Sequence, residues 1–246
     1  SAAWTTSAHT LNTARSNHGS STNNGYIYVL GGNGLTSVEY APIGSAGDVS
    51  SNWTNNSNSL PATREAFGLV VDKGYGYLIG GVTASSVNLS SIISAAFKSD
   101  NTLDTFQTDS HTLPSTRLEL SASVSNGILY VYGGRDSSGN ALSSIVYATI
   151  GTGGLTSNFT TATATLATAR TLGGGAIYKG FLYSVGGCTT TSGACNTYSA
   201  ASEYSQINNG GPGTLARWMT NSTSMLGTRG NFAATTYNGD LYGAGG

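Results

Sequence analysis

The chain has 246 residues and a formal net charge of −1, and only 9% of its residues are charged, against roughly a quarter in ordinary soluble proteins. Its ten Lys and Arg are spread over the whole length and form no basic patch, which argues against nucleic acid as a partner. No run of about 18 apolar residues occurs, so no segment reads as a membrane-inserted helix.

Taken in order, the chain repeats itself. Trp4 opens a mostly polar segment that reaches Leu11 and then Arg15. The same succession recurs as Trp53, Leu60, Arg64; Phe106, Leu113, Arg117; Phe159, Leu166, Arg170; and Trp218, Leu226, Arg229. The arginines lie 49, 53, 53 and 59 residues apart, and a period near 50 is the mark of a repeat architecture, hence of one cooperative body. After four of the arginines comes an apolar-leaning strand, at 66–71, 118–124, 172–177 and 232–237. A two-residue turn follows in all five units: Asn24-Gly25, Lys73-Gly74, Asn126-Gly127, Lys179-Gly180 and Asn238-Gly239. Asn-Gly between two strands is a strong hairpin signal, because both positions need positive φ.

Each turn leads into a second strand that ends on two glycines. In the third unit it reads Ile128-Leu129-Tyr130-Val131-Tyr132-Gly133-Gly134. Strand interiors disfavour glycine unless another backbone comes close, so the five double glycines predict crowding that tolerates no side chain. A third strand follows at 38–43, 92–97, 145–150 and 203–207, then a turn rich in Gly, Asp and Asn, then the next aromatic residue. No segment shows sustained helical periodicity. The class is all-β, and four-stranded units that cannot bury both faces alone predict radial stacking, a β-propeller.

The pairs Leu60-Pro61 and Leu113-Pro114 ahead of their arginines, the double-glycine phrase, the tyrosine that follows and the aromatic opening the last strand resemble kelch repeats over the whole chain. The likeness is to the bacterial surface form, within the galactose-oxidase-like superfamily. It implies a single propeller domain with repeats at about 12–60, 61–113, 114–166, 167–226 and 227–246, the last one incomplete and completed by residues 4–11. Such propellers more often have six or seven blades, so the sequence is expected to be part of a longer chain.

The resemblance also suggests where to look for function. Arg15, Arg64, Arg117, Arg170 and Arg229 would start the innermost strands near the channel mouth, where a ring of guanidinium groups would bind an acidic ligand; the alternative is that each one bonds backbone carbonyls of a neighbouring blade or loop. The loops after the double glycines differ most between units, which points to Arg135, Asp136, Asn140 and the loop between Cys188 and Cys195 as ligand-binding positions. The two cysteines flank a short polar loop and read as a disulfide of an oxidising compartment. Asp100 to Asp104 suits either a cation or, more simply, a turn. His9, His18 and His111 are scattered, no Cys is placed to crosslink a Tyr in the channel, and no catalytic set is legible, so neither a copper oxidase nor any cofactor is expected. The expected function is a non-catalytic extracellular or cell-surface propeller that recognises a protein or glycan, with a structural segment of a larger surface or filament protein as the alternative.

Overall fold

The computed structural model describes residues 5–207 and 213–246, so Trp4 and the turn residues 208–212 lie outside it. The first blade consists of β1 (Gly19–Asn23), β2 (Tyr26–Leu30), β3 (Val38–Pro42) and β4 (Thr54–Asn55). The second consists of β5 (Gly68–Asp72), β6 (Tyr75–Ile79), β7 (Ser91–Ala96) and β8 (Gln107–Thr112). The third holds β9 (Ser121–Ser125), β10 (Ile128–Tyr132), β11 (Ile145–Thr149) and β12 (Thr160–Thr161), and the fourth β13 (Gly174–Tyr178), β14 (Phe181–Val185), β15 (Ser202–Gln206) and β16 (Met219–Thr220). In each of these four sheets sequential strands are antiparallel neighbours, from the innermost to the outermost. The fifth blade is only the hairpin of β17 (Phe232–Tyr237) and β18 (Asp240–Gly245). The sequence reading of five four-stranded repeats is therefore corrected to four complete blades and one two-stranded sheet. Residues 5–11 form no strand; His9 and Trp53 hold them to the first blade, Trp53 Nε1 donating to the His9 carbonyl at 3.3 Å.

The inner hairpins follow from the turn residues. Asn24, Lys73, Asn126, Lys179 and Asn238 have φ of 46–49°, and the glycine after each is also at positive φ. That is the pair of left-handed positions a type I′ turn demands, and two of the five are filled by Lys instead of Asn. Innermost strands of successive blades touch, β1 with β5, β5 with β9, β9 with β13 and β13 with β17, which arranges the sheets about a central channel as a β-propeller. Apolar cores fill the wedges between blades. Tyr28 and Leu30 of the first blade pack with Leu78 and Ile93 of the second. Ile79 packs with Leu129 and Val131 of the third, and Tyr130 and Ile145 with Leu182 and Trp218 of the fourth. Burial pushes the Tyr28, Tyr77 and Tyr130 hydroxyls up to about 12, so these repeat-borne phenols are neutral packing groups.

The double glycines are crowded, as expected, and the structure names the neighbour. A Cβ on the first glycine of the pair would stand 2.5 Å from the Arg64 carbonyl oxygen at Gly31, 2.8 Å from that of Arg170 at Gly133 and 2.9 Å from that of Arg229 at Gly186. The second glycine donates its N–H to the same carbonyl: Gly32 to Arg64 at 2.9 Å, Gly81 to Arg117 at 2.8 Å, Gly134 to Arg170 at 2.8 Å and Gly187 to Arg229 at 2.7 Å. Each of the first four blades is thus latched to the next through a hydrogen bond that only a glycine pair lets approach.

One register is corrected. Met225, not Leu226, is the equivalent of Leu60, Leu113 and Leu166: its N–H bonds the Ala200 carbonyl as theirs bond Thr36, Ser90 and Ser143, and its terminal methyl reaches the Gly186 site. Leu226 stands one position later and is fully exposed.

The latch yields a test. Gly133→Ala, at φ 62° and against the Arg170 carbonyl, should lower unfolding free energy by about 3 kcal/mol. Gly180→Ala, at φ 79° in a turn with open space around it, should cost only about 1 kcal/mol. Urea unfolding of the two variants compares them directly, and equal losses would show that the approach of the next blade is not what the double glycine serves.

Candidate functional site

The five arginines do not present free guanidinium groups to a common ligand. Arg64, Arg117 and Arg170 are buried, and each arginine donates from Nη1 to the first glycine carbonyl of its own blade: Arg15 to Gly31 at 3.0 Å, Arg64 to Gly80 at 2.6 Å, Arg117 to Gly133 at 3.0 Å, Arg170 to Gly186 at 2.7 Å and Arg229 to Gly245 at 2.7 Å. Nη2 reaches the third strand, where Arg64 finds Ser91 Oγ and Arg117 finds Ser144 Oγ, both at 2.8 Å. Desolvation lowers the pKa of these two arginines to about 10, which leaves both charged at neutral pH. The side chains therefore bond carbonyls at the end of their own blade, where the sequence alternative places the partners on a neighbouring blade or loop.

Two arginines meet a carboxylate instead. Arg15 pairs with Glu39 and Arg170 with Glu203, and both glutamates are buried. The same carboxylates accept backbone N–H groups, Glu39 from Asn12 at 2.7 Å and Thr13 at 3.1 Å, and Glu203 from Ala167 at 2.7 Å. In the second and third blades the residues equivalent to Asn12 and Ala167 are Pro61 and Pro114, which have no N–H to satisfy, and those equivalent to Glu39 and Glu203 are Ile93 and Val146. Proline goes with an apolar residue, a free N–H with glutamate. A buried carboxylate without its donors is costly, so glutamate stands where the N–H is present to meet it and an apolar residue where proline removes it.

Around the channel mouth the residues two positions after each arginine, Asn17, Ala66, Glu119, Leu172 and Asn231, all have φ between 53° and 56°. None is glycine, and left-handed backbone costs such residues roughly 1–2 kcal/mol each. Neighbouring blades hold them there: Ala66 N–H donates to Asn17 O at 2.9 Å, Glu119 to Ala66 at 2.7 Å, Leu172 to Glu119 at 3.1 Å and Asn231 to Leu172 at 2.9 Å. Asn231 Nδ2 then approaches Asn17 Oδ1 at 3.4 Å, joining the fifth blade to the first. These five positions, with His18, Phe67, Leu120, Gly173 and Phe232, line a cavity of about 190 Å³.

The loops after the double glycines open on this same face, because the residue following each pair bridges back to the start of its own inner strand: Val82 to Glu65, Arg135 to Leu118 and Cys188 to Thr171. That geometry carries Arg135 to Glu119, with Nη2 2.7 Å from Oε1, while Thr171 donates its hydroxyl to the other oxygen of Glu119. Asp136 and Asn140 are turned toward each other within their loop: Asp136 accepts from the Ser138 and Asn140 N–H groups, both at 2.9 Å, and from Asn140 Nδ2 at 3.1 Å. These donors hold the Asp136 carboxyl below its ordinary pKa. Cys188 and Cys195 form the expected disulfide, and in the loop it closes the Thr191 carbonyl accepts the Ala141 N–H at 3.1 Å. The third- and fourth-blade loops thus form one surface. Tyr198 lies on it, 44% exposed, with its ring against Gly230 of the fifth blade.

Asp100 to Asp104 is a turn in which Asp100 accepts from the Thr102 N–H at 3.0 Å. Among the described residues no cluster of three or more His, Cys, Asp or Glu side chains is placed to hold a metal. Glu119, Thr171 and Tyr198 went unnoticed from sequence. Asparagine at two of the five mouth positions hinted at left-handed backbone, but Ala66, Glu119 and Leu172 carry no such sign.

The internal pairs generate a stability prediction. Glu203→Val should cost about 3 kcal/mol, since Arg170 stays buried without its carboxylate. Adding Ala167→Pro and Ala201→Ser transplants the third-blade solution and should return stability to within about 1 kcal/mol of the native chain. Thermal unfolding of single and triple variants tests this, and a triple variant no better than the single one would refute the reciprocity.

No protein-family model matches the chain, and no curated protein does. A solved structure titled "Structure of YjhT" superposes on 95% of this chain and 72% of its own length, with a TM-score of 0.71 and 11% sequence identity. At that identity the likeness establishes the fold, a β-propeller, and no more.

Proposed function

We propose that the chain is a kelch-type, non-catalytic β-propeller that works outside the cell or at its surface and recognises a protein or glycan through the channel-mouth face. The observation that supports this reading most directly is the ring of five non-glycine residues in left-handed backbone around the cavity. Strain of this kind persists where the surroundings over-determine it, and it gathers at binding sites. The loops with the greatest sequence variation surround that ring on a rigid scaffold, the usual division of labour between loops and framework. The face offers an exposed tyrosine, amide and hydroxyl groups and one internally paired Arg135–Glu119 unit, a composition that suits an uncharged polyhydroxylated ligand or a polar protein surface. The disulfide within it fits an oxidising compartment. The alternative is a segment of a larger surface or filament protein.

Glycan arrays and surface-protein capture with the full chain test the reading. Tyr198→Ala and Arg135→Gln should each weaken whatever ligand is found by about tenfold, with the unfolding temperature little changed for Tyr198→Ala. A ligand held equally well by both variants would place recognition elsewhere.

A further inference from the structure

The segment that enters each blade also meets the turn ahead of that blade's outermost strand, and in three blades its side chains fill the junction. Asn56 Oδ1 accepts the Leu103 N–H at 2.8 Å in the second blade, and Asp109 Oδ2 accepts the Leu155 N–H at 2.6 Å in the third. Each stands four residues before its linker leucine, Leu60 or Leu113. In the first blade Trp53 Nε1 donates to the His9 carbonyl at 3.3 Å, His9 Nδ1 lies 3.0 Å from Asn52 Oδ1, and Asn12 Nδ2 donates to the Trp53 carbonyl at 2.9 Å.

The fourth blade keeps this frame without the side chains. Counted from Leu166, the positions of Asn56, His9 and Asn12 are held by Ala162, Ala164 and Ala167. The Ala162 N–H bonds the Ile145 carbonyl as that of Asn56 bonds Val38, which fixes the register. A groove of about 540 Å³ lies at this junction, with Ala164 and Ala167 on the linker side and Leu215, Arg217 and Trp218 on the blade side. That volume is in the range of small-molecule sites.

Three donors belong to the junction, and among the described residues none has an acceptor. The Leu215 N–H corresponds to those of Leu103 and Leu155, which Asn56 and Asp109 satisfy. The Trp218 indole corresponds to that of Trp53; the residue is 4% exposed, and its Nε1 is buried without a hydrogen bond. A buried donor left in that state is costly. Arg217 is exposed and stands where the first blade has Asn52. No carboxylate lines the groove, and the exposed Thr163 and Thr165 complete its rim.

We infer that this groove binds an acidic sugar, a hexuronate, whose carboxylate takes the place that the Asp109 carboxylate fills one blade earlier. Three unsatisfied donors, one of them cationic, call for a group that only accepts, and a carboxylate offers two oxygens with about four acceptor sites. Leu215 N–H, Trp218 Nε1 and Arg217 supply its partners, while the threonine hydroxyls, which both donate and accept, meet the sugar hydroxyls. The groove lies on the outer strands, so it is separate from the channel-mouth face and stands independently of the function proposed for that face.

Nuclear magnetic resonance of the full chain reads the site through the indole N–H signals of its three tryptophans, the Trp218 signal being assigned through Trp218→Phe. Glucuronate should move that signal saturably and leave the Trp53 signal in place. Glucose, which lacks the carboxylate, should not move it, and acetate, which lacks the hydroxyls, should bind at least about tenfold more weakly than glucuronate. Arg217→Gln should weaken glucuronate by about tenfold, the worth of one charge-assisted hydrogen bond. Ala162→Asp transplants the third-blade solution and should abolish glucuronate binding while raising the unfolding temperature. Because Arg217 is exposed, its variant still reads the site where Ala162→Asp disturbs folding. A Trp218 signal that glucuronate leaves unmoved, that glucose or acetate moves equally, or that responds undiminished in the Arg217→Gln chain would overturn the inference.

Discussion

Each arginine from the second blade on is held at both ends, and successive blades are joined through that fact. Its backbone carbonyl receives an N–H from the second glycine of the blade before it, and its guanidinium donates to the first glycine carbonyl of its own blade. One residue therefore ties the end of one blade to the start of the next and, through its side chain, to the end of the middle strand that follows. The glycines are the condition for this. A Cβ at Gly133 would meet the Arg170 carbonyl at 2.8 Å, so any other residue would push the blades apart and break the N–H bond made by its neighbour. The inter-blade cores then close over a geometry already set, since Leu60 and Leu166 reach the same glycine pairs from the linking segments.

Position along the inner strands obeys the same economy of space. Phe67 and Phe232 lean against Gly19 and Gly174 of the preceding blade, where a Cβ would collide. In the fourth blade the corresponding residue is Gly173, and the third blade opposes it with Ser121, whose hydroxyl donates to the Gly173 carbonyl at 3.1 Å. A large residue facing glycine and a glycine facing serine fill the wedge equally well. Volume is conserved across a contact between blades rather than at a position.

Features that depend on local backbone chemistry were legible in the sequence. The Asn-Gly turns, the crowded glycine pairs and the blade period follow from φ requirements and repetition, and they needed no knowledge of what lay next to them. Features set by partners distant in the chain were not. The arginines looked alike and were offered two roles; which one they play depends on carbonyls 16 residues downstream and on Glu39 or Glu203 in the third strand. The register of the last linker was misread because Leu226 looked like its counterparts, whereas spacing to Arg229 and the Ala200 hydrogen bond select Met225. Glu119 was missed because a glutamate in left-handed backbone carries no sequence mark, and only the neighbouring blades keep it there. Residues 5–11 resemble the linker segments, yet a strand forms only where an adjacent edge accepts it.

The reciprocity of proline and glutamate connects these observations. Burying an ion pair is a doubtful gain in stability when a packed apolar residue would serve, and two blades do without one. What decides between the solutions is a single backbone N–H at the entry to the blade. Where proline removes that donor, the third strand is free to be apolar, and a serine hydroxyl suffices for the arginine. Where the donor remains, the buried glutamate accepts it while neutralising the guanidinium beside it. The carboxylate is thus explained by an amide group rather than by the arginine, which every blade possesses.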